Sequence, residues 1–364
     1  MTTMFLTGFP GFLGSALVER LLDRTPDDVT VTCLVQAKYR DRAERRAERI
    51  ARTVGTDTDR VHLVEGDITR SDLGLGDDYA DLQRETREVY HLAAVYDLGV
   101  SREVGYRVNV EGTRNVLDFA DGSPDLDRFQ YVSTAYVSGR YDGTFTEDHL
   151  REGQRFNNHY ESTKYTAEVD VQRRMQEGLP ATIYRPAIAV GDSETGATQK
   201  YDGPYYVMQW LLRQPSVGVV PTVADPDTHT VNVVPRDYVV DAIAHLSGIE
   251  ASEGRVYNLC DPSPPTVAEL LELLGDATDT RVATVPLPKS LAKRALRDVP
   301  GVQRLLRIEP ATIDYFDHPT EYDCENAMAD LAGTGIEPPP FESYVDTLVA
   351  FMREHPEISP DAMT

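Results

Sequence analysis

Residues 7–14 of the chain read TGFPGFLG. Three glycines with a spacing of three stand in this stretch: Gly8, Gly11 and Gly14. Glycine is required where the backbone turns with a positive φ, where a phosphate contacts the chain, and where a helix packs closely on a strand. The stretch follows the apolar run MFLT and leads into GSALVERLLDR, whose apolar residues have helical spacing. It therefore predicts a strand–turn–helix unit that binds a dinucleotide, with the pyrophosphate facing the amides of Phe12 and Leu13.

The alternation of strands and helices continues through the first half of the chain. Six runs rich in β-branched and apolar residues are predicted to be strands: MFLT, VTVTCLV, RVHLVEGD, REVYHLAA, RFQYVST and PATIYRP. Four stretches with helical spacing lie between them: GSALVERLLDR, RDRAERRAERIARTVG, VEGTRNVLDFAD and YESTKYTAEVDVQRRMQ. Such an order predicts an α/β fold with a Rossmann-like, doubly wound parallel sheet.

The texture of the sequence changes after Pro186, where loops rich in Gly, Pro, Asp and Thr begin. A strand-like run and a helix resume at VNVVPRDYVVDAIAHL, and Pro-bounded helical runs such as TVAELLELLG, PKSLAKRALRDV and SYVDTLVAFMREH follow. We therefore predict a smaller, discontinuous C-terminal substrate-binding part that covers the carboxyl end of the sheet. The predicted boundaries are 1–190 with 230–260 for the dinucleotide-binding domain, 191–229 with 261–350 for the substrate part, and 351–364 for a C-terminal tail.

The overall charge restricts the partners. The chain carries 60 acidic and 36 basic residues, which gives a net charge of −24. Such a field repels nucleic-acid phosphates, so we expect no nucleic-acid partner. The acidic residues are dispersed, which favours adaptation to high salt, although a well-solvated surface explains the same pattern.

Apolar patterning and cysteine content point to an intracellular protein without a metal site. No apolar run approaches the roughly 18 residues of a membrane helix, and the first residues have no signal-peptide pattern. We therefore expect a cytoplasmic protein with no membrane span. Cys33, Cys260 and Cys324 are far apart, which predicts buried thiols with neither a disulfide framework nor a metal site.

The end of the second predicted strand, CLVQAKYRDR, bears on the choice of cofactor. A carboxylate at this place binds the ribose 2′-hydroxyl of NAD, whereas basic residues accept the 2′-phosphate of NADP. Gln36 occupies the place of the acid, and Lys38, Arg40 and Arg42 follow. We therefore expect NADPH, with NAD as the alternative. These basic residues also fit the start of a solvated, arginine-rich helix.

A tyrosine and a lysine in HYESTKY suggest proton chemistry. Tyr160 and Lys164 are four residues apart, which places both on one face of a helix. A nearby ammonium favours the ionised phenol, so we expect a lowered Tyr160 pKa and proton transfer to a carbonyl oxygen. The hydroxyl of Thr134, or of its neighbour Ser133, ends the fifth predicted strand and is expected to bond the same oxygen. An exposed i,i+4 pair on a surface helix is the alternative.

Taken together, these motifs resemble the extended short-chain dehydrogenase/reductases. T-G-x-x-G-x-x-G, GDIT, HLAA, NVEGTRNV, VSTAYVSG, Tyr160-x-x-x-Lys164 and YRPAIAVGDS stand in that superfamily's order over roughly residues 3–260. TGFPGFLG, YVSTAYVSG, YESTKYTAE and RPAIAVGDSETG are most similar to the branch that holds fatty acyl-CoA reductases and thioester reductase domains. Where acyl reductases of this branch usually carry arginine, this chain has Gln36.

The resemblance implies roles for individual residues. Tyr160 is the implied general acid, Lys164 holds the nicotinamide ribose, and Thr134 polarises the carbonyl. Further implied cofactor contacts are Asp67 and Ile68 beside the adenine, Ala93 and Ala94 against the sheet, Asn109 in support, Ser133 next to Thr134, and Arg185 with Pro186 past the nicotinamide. His91 of HLAA is expected to be a packed core histidine.

The expected function is hydride transfer from NAD(P)H to a carbonyl, with an acyl thioester as substrate, supplied as acyl-CoA or on a separate carrier. The run GPYYVMQWLLR is a candidate wall for an acyl groove. One alternative is a nucleotide-sugar epimerase or dehydratase, in which Arg213 and Arg236 hold a diphosphate. Others are a hydroxysteroid-type dehydrogenase and a non-catalytic NAD(P)-binding regulator. The helices around 109–120 and 160–176 suggest a homodimer by analogy.

Overall fold

The computed structural model describes residues 2–291, 294 and 310–358. Its strands, in chain order, are β1 (Thr2–Thr7), β2 (Val29–Val35), β3 (Val61–Glu65), β4 (Thr86–His91), β5 (Arg128–Val132), β6 (Gly143–Phe145), β7 (Ala181–Pro186), β8 (Ile188–Val190), β9 (Val217–Thr222), β10 (Val233–Pro235), β11 (Val256–Leu259), β12 (Arg281–Pro286) and β13 (Thr320–Tyr322).

The α-helices of these residues are α1 (Phe12–Arg24), α2 (Arg40–Val54), α3 (Tyr79–Glu85), α4 (Arg102–Gly105), α5 (Gly112–Asp121), α6 (His159–Gln176), α7 (Pro204–Leu211), α8 (Arg236–Leu246), α9 (Val267–Ala277), α10 (Glu325–Leu331) and α11 (Val345–Glu354). A π-helical stretch, Tyr106–Glu111, joins α4 to α5. No helix in the described part of the chain combines the length and apolarity needed to cross a bilayer.

Seven strands form a parallel sheet in the order β3-β2-β1-β4-β5-β7-β11. The chain first builds outward from β1 to β3 and then crosses to the other side of β1 with β4. This reversal opens a crevice at the carboxyl ends of β1 and β4, which is where ligands bind in such sheets. The sheet confirms the predicted Rossmann-like, doubly wound fold.

Helices cover both faces of the central sheet with their apolar stripes. On one face, Leu17 and Leu21 of α1 pack with Ile50 of α2 and Ile243 of α8. The other face is covered by α5 and α6, whose buried residues include Phe119 and Val171. The strands are thus buried on both sides, as their continuous apolar runs predict.

The later part of the chain adds three two-stranded parallel pairs: β8 with β10, β9 with β12, and β6 with β13. A separate apolar cluster joins α7, α9 and α11 through residues that include Met208, Leu270, Leu274 and Leu348. The strand β10 pairs with β8, while β11 completes the central sheet beside β7.

Differences from the predicted elements are confined to ends and short pieces. The helix predicted from VEGTRNVLDFAD begins earlier, because α4 and the π-helical stretch precede it. Residues 351–354 belong to α11, as the helical run SYVDTLVAFMREH predicts, although the predicted domain boundary assigned them to the tail. The helix predicted from PKSLAKRALRDV falls mostly outside the described residues, as do residues 359–364.

Candidate active site

The glycine turn is shaped by close backbone contacts. Gly8 has a φ of +99°, and a Cβ there would lie 2.9 Å from the amide nitrogen of Ala93. A Cβ on Gly14 would lie 2.5 Å from the carbonyl oxygen of Gly8. A larger residue at Gly8 would force the turn away from the loop that follows β4, and one at Gly14 would force α1 away from the turn, so the sequence needs glycine at both positions.

The start of α1 is open to an anion. Its N-cap is Gly11, which has no side chain to bond the first-turn amides. Phe12, Leu13 and Gly14 supply these amides, and all three line the cavity at the crevice. The amides and the helix dipole favour a negative group, so the residues present fit a dinucleotide diphosphate.

One cavity of about 780 Å³ runs from the glycine turn across the carboxyl end of the sheet. Most of the predicted site residues line it: Gly8, Gly11, Phe12, Leu13, Gly14, Gln36, Lys38, Asp67, Ile68, Ala93, Ala94, Ser133, Thr134, Tyr160, Lys164 and Pro186. The sheet therefore brings together residues that lie up to 178 positions apart in the chain, counted from Gly8 to Pro186.

Asn109 and Arg185 are not among the residues that line the cavity. The Asn109 side chain accepts from the amide of Val95 at 2.8 Å and donates to the Thr163 hydroxyl at 3.1 Å, so it braces the loop after β4. Arg185 is fully buried and pairs with Glu168, with 2.6 Å between Nη2 and Oε1. Both side chains are buried and contact residues next to the cavity, without lining the cavity themselves.

The basic residues at and after the end of β2 differ in whether they line the cavity or contact other side chains. The side-chain nitrogen of Gln36, Nε2, donates to the Asp67 carboxylate at 3.2 Å. Gln36 and Lys38 both line the cavity. Arg40 instead pairs with Glu44 at 2.7 Å. Arg42 donates to the side-chain oxygen of Gln199, Oε1, at 2.8 Å. Neither arginine lines the cavity, so Lys38 is the basic residue that this stretch brings to it.

Tyr160 is buried beside the end of β5. Its hydroxyl bonds the side chain of Thr134, and Tyr96 packs edge-on against its ring at a centroid distance of 5.0 Å. Burial raises the Tyr160 pKa, while the Thr134 bond opposes that rise. The expected lowering of this pKa by Lys164 is wrong, because desolvation dominates and the lysine bonds other groups.

Lys164 is bound to strand β5. Its Nζ donates to the Tyr131 hydroxyl at 3.0 Å and to the Val132 carbonyl oxygen at 2.8 Å. Burial lowers the pKa of Lys164 to about 7, and the Glu168 carboxylate opposes that change. The ammonium is thus held in place at the floor of the cavity and titrates near neutral pH.

His91 serves the core, as expected. Its ring nitrogens bond the Thr7 hydroxyl at 2.7 Å and the Thr113 hydroxyl at 2.9 Å. Burial, assisted by the charge of Lys164, lowers the pKa of His91 to about 3, so the ring is neutral at working pH. The three cysteines are buried free thiols, also as expected.

The far wall of the cavity was largely missed from the sequence. Apolar residues from distant parts of the chain form it, namely Pro204, Val207, Val231, Leu270, Leu274 and Phe316. Within GPYYVMQWLLR, Gly203, Pro204 and Val207 line the cavity, whereas Tyr205 and Leu211 belong to the neighbouring apolar cluster. No local signal marks such residues, because ordinary core positions have the same composition.

The arginines predicted to hold a sugar-nucleotide diphosphate lie outside the cavity. Arg213 and Arg236 do not line the cavity; Arg236 pairs with Asp192 at 2.9 Å and lies over the Phe12 ring. Over the described ranges, no group of three or more His, Cys, Asp or Glu side chains is arranged to hold a metal ion.

Curated relatives include reductases that are much longer than this chain. An aldehyde reductase of Aspergillus flavus is 29% identical over 300 residues, which cover 78% of this chain and 28% of that protein. L-2-aminoadipate reductase of Saccharomyces cerevisiae is 28% identical over 269 residues, 67% of this chain and 18% of that protein. The chain likewise spans 34% or less of the length of three peptide synthetases that it matches.

Among solved structures, the terminal R domain from the myxalamid PKS-NRPS biosynthetic pathway matches with a TM-score of 0.83 and 26% identity, covering 99% of this chain and 92% of that one. UDP-glucuronic acid 4-epimerase from Bacillus cereus, in complex with NAD, matches with a TM-score of 0.68 at 17% identity, covering 100% and 99% of the two chains. The second likeness concerns the fold alone.

The family match falls on the residues that build the cavity. The sequence profile described as "Male sterility protein" matches residues 6–243, which include the glycine turn, Thr134, Tyr160 and Lys164. This match confirms the resemblance that the motifs predicted. The chain belongs to the Male sterility protein family of NAD-binding domains.

Proposed function

We propose that this protein is an NAD(P)H-dependent oxidoreductase of the extended short-chain dehydrogenase/reductase type that reduces the carbonyl of an acyl thioester. The observation that carries the proposal is the single cavity, which joins the glycine turn, the Thr134–Tyr160 pair and an apolar far wall. A reductase needs these three parts in contact, since cofactor and substrate must meet at one carbonyl.

The relatives support the reaction class. Proteins named as an aldehyde reductase and as L-2-aminoadipate reductase share 28–29% identity with most of this chain. The R domain of the myxalamid pathway, at 26% identity, covers almost the whole chain. A thioester carried on CoA or on a separate carrier protein is therefore the substrate class that we propose.

Each part of the cavity has a role in this reaction. The open amides at the start of α1 would hold the diphosphate of the cofactor, and Lys164 would hold the nicotinamide ribose. The cofactor, when bound, would supply a hydride to the carbonyl carbon, and the C–S bond of the reduced thioester would then break to release an aldehyde and a free thiol. Thr134 and Tyr160 share one side of the cavity, where their hydroxyls can bond the carbonyl oxygen and Tyr160 can donate a proton to it.

We propose NADPH as the preferred cofactor. Gln36 and Lys38 line the cavity at the end of β2, where the 2′ position of the adenosine ribose is read. Lys38 can neutralise a 2′-phosphate, while Gln36 stands where an acid would repel it. The Asp67 carboxylate nearby is bonded by Gln36 and by Thr69.

The far wall favours an apolar acyl group. The six residues that form it carry no charged or polar side chain. A charged acyl end against these six side chains would lose its hydration without gaining a partner, although Arg107, Gln199 and Lys200 also line the cavity. In this scheme residues 191–229 and 261–350 form the substrate part, as their composition predicts. A nucleotide-sugar substrate is less well supported, because Arg213 and Arg236 lie outside the cavity.

The proposal is tested by comparing substrates. We expect the purified protein to oxidise NADPH with octanoyl-CoA, at least tenfold less efficiently with succinyl-CoA, whose acyl end is charged, and not at all with a UDP-sugar. Conversion of the UDP-sugar to an epimerised or dehydrated product, without net NADPH oxidation, together with no activity on any acyl-CoA, would reject the thioester assignment in favour of the sugar-nucleotide class.

A further inference from the structure

Helix α6 meets the end of β5 through three side chains in a row. Tyr160 and Lys164 are followed by Glu168, and the i,i+4 spacing places all three on one face of the helix. Each contacts a different residue of the segment 132–134: Tyr160 bonds Thr134, Lys164 bonds the Val132 carbonyl, and Glu168 accepts from the Ser133 hydroxyl.

Glu168 also joins this segment to β7. Its carboxylate accepts from Arg185 at 2.6 Å and from Gln172 at 3.2 Å. Both Glu168 and Arg185 are fully buried, with 0% exposure. Arg185 donates in turn to the carbonyl oxygen of His149 at 2.8 Å. Glu168 thus adds a side-chain link between the ends of β5 and β7, which are also paired through their backbones.

We propose that Glu168 is a positioning residue for the active site: its carboxylate ties the Ser133–Thr134 segment to α6 and supplies the negative charge that faces Lys164. The inference concerns how Lys164 is kept charged and aligned, and its role in turnover rests on the proposed function. Glu168 does not line the cavity, so it acts through Ser133 and Lys164.

The other titratable groups around Lys164 do not supply a negative charge to its ammonium. Tyr131, from β5, and Tyr160, from α6, are phenols whose pKa values are raised by burial, so both are neutral. His91, from β4, is neutral as well and only disfavours a second positive charge. Arg185 is cationic and lies on the far side of Glu168. Among the described residues that act on Lys164, Glu168 is therefore the anion.

Removal of this charge should be visible at Lys164 itself. Without the carboxylate, the ammonium loses the group that favours it, and its titration midpoint is expected to fall from about 7 by about 1 pH unit. Glu168→Gln keeps the side-chain size but leaves the Arg185 guanidinium buried without an anion. The double variant Glu168→Gln with Arg185→Met removes both charges, so no guanidinium is left buried without an anion. It replaces the single variant in the experiment if Glu168→Gln does not fold.

The chain is well suited to a direct titration because it contains five lysines, at positions 38, 164, 200, 289 and 293. In protein labelled with carbon-13 at the lysine Cε, we expect one NMR resonance to titrate near pH 7 and to vanish in Lys164→Arg. The midpoint should fall in Glu168→Gln, fall less in the double variant, and return toward the native value in Glu168→Asp.

Asp170→Asn is the matched control, since Asp170 lies on the same helix but pairs with Arg114 at 2.7 Å. Its midpoint should equal that of the native protein. An unchanged midpoint in whichever folded variant lacks Glu168 would overturn the inference. This titration needs no turnover, so a protein that reduces no thioester would reject the proposed function and leave this result to stand on its own.

Discussion

The hydroxyl of Tyr160 bonds the side chain of Thr134, so the two groups predicted to handle the substrate oxygen meet at the carboxyl end of β5. The ring of Tyr96 packs edge-on against the Tyr160 ring beside this pair. Burial keeps Tyr160 protonated, which is the state that a proton donor needs before the reaction.

Loss of the Tyr160 hydroxyl should therefore remove the proton donor without disturbing the fold. For Tyr160→Phe we expect kcat to fall by about 10²–10⁴-fold, with cofactor affinity nearly unchanged. Tyr165→Phe is the control, because Tyr165 is on the same helix and does not line the cavity. Steady-state kinetics and cofactor fluorescence measure the two effects; equal activity of the two variants would rule out Tyr160 as the donor.

Cofactor preference should depend on Lys38. Its substitution by alanine removes the positive charge at the end of β2, so we expect NADPH affinity to weaken by about tenfold while NADH affinity changes little. Arg40→Ala is the control, since Arg40 pairs with Glu44 and does not line the cavity. Dissociation constants for both cofactors decide the matter. An equal loss for NADPH and NADH in Lys38→Ala would contradict the assignment of the 2′-phosphate site.

His91 should affect stability and its pH dependence. His91→Ala removes one hydrogen bond from each of the buried hydroxyls of Thr7 and Thr113, which is expected to cost about 2 kcal/mol at pH 7. The two hydroxyls keep their bonds to the Ala93 amide and the Asn109 carbonyl oxygen. The folded-state pKa of about 3 lies below the unfolded value of 6.5, so the unfolded chain binds more protons in between. Native stability therefore falls as pH drops below 6.5.

His91→Ala has no histidine at this position, so it does not lose this part of the unfolding free energy as pH falls. Between pH 7 and pH 5 the difference in unfolding free energy between native protein and His91→Ala should shrink by about 2 kcal/mol. Urea denaturation at the two pH values measures it. A difference that does not change with pH would mean that His91 has the same pKa in the folded and the unfolded chain, which would contradict the lowered pKa.

High salt should stabilise the protein. A net charge of −24 produces self-repulsion in the folded state, and the screening length falls from about 10 Å at 0.1 M salt to about 3 Å at 1 M. We expect Tm to rise steadily with KCl over this range. A Tm that is flat or falls with KCl would favour the simpler interpretation of the acidic residues as a solvated surface.

The central sheet and the glycine turn could be predicted from the sequence because their signals are local. The spacing of Gly8, Gly11 and Gly14, directly after one strand, follows from the contacts that these glycines make. The alternation of strand and helix runs likewise predicted a doubly wound parallel sheet, since parallel crossovers allow few topologies. The positions of Thr134, Tyr160 and Lys164 followed from the same local patterns together with the family resemblance.

The direction of individual side chains could not be predicted in this way. Lys164 was expected to act on Tyr160, yet it donates to Tyr131 and Val132, because a buried ammonium needs acceptors close by. Arg185 was expected beside the cofactor, yet the buried Glu168 holds it away from the cavity. Such pairings join residues of different elements, and only the folded structure brings them together.

The most direct measurement follows NADPH oxidation and free thiol release together, with octanoyl-CoA as substrate and Tyr160→Phe in parallel. The proposed function predicts that thiol appears as NADPH is consumed, and that both are lost in the variant. Binding of NADPH without any release of thiol would contradict it.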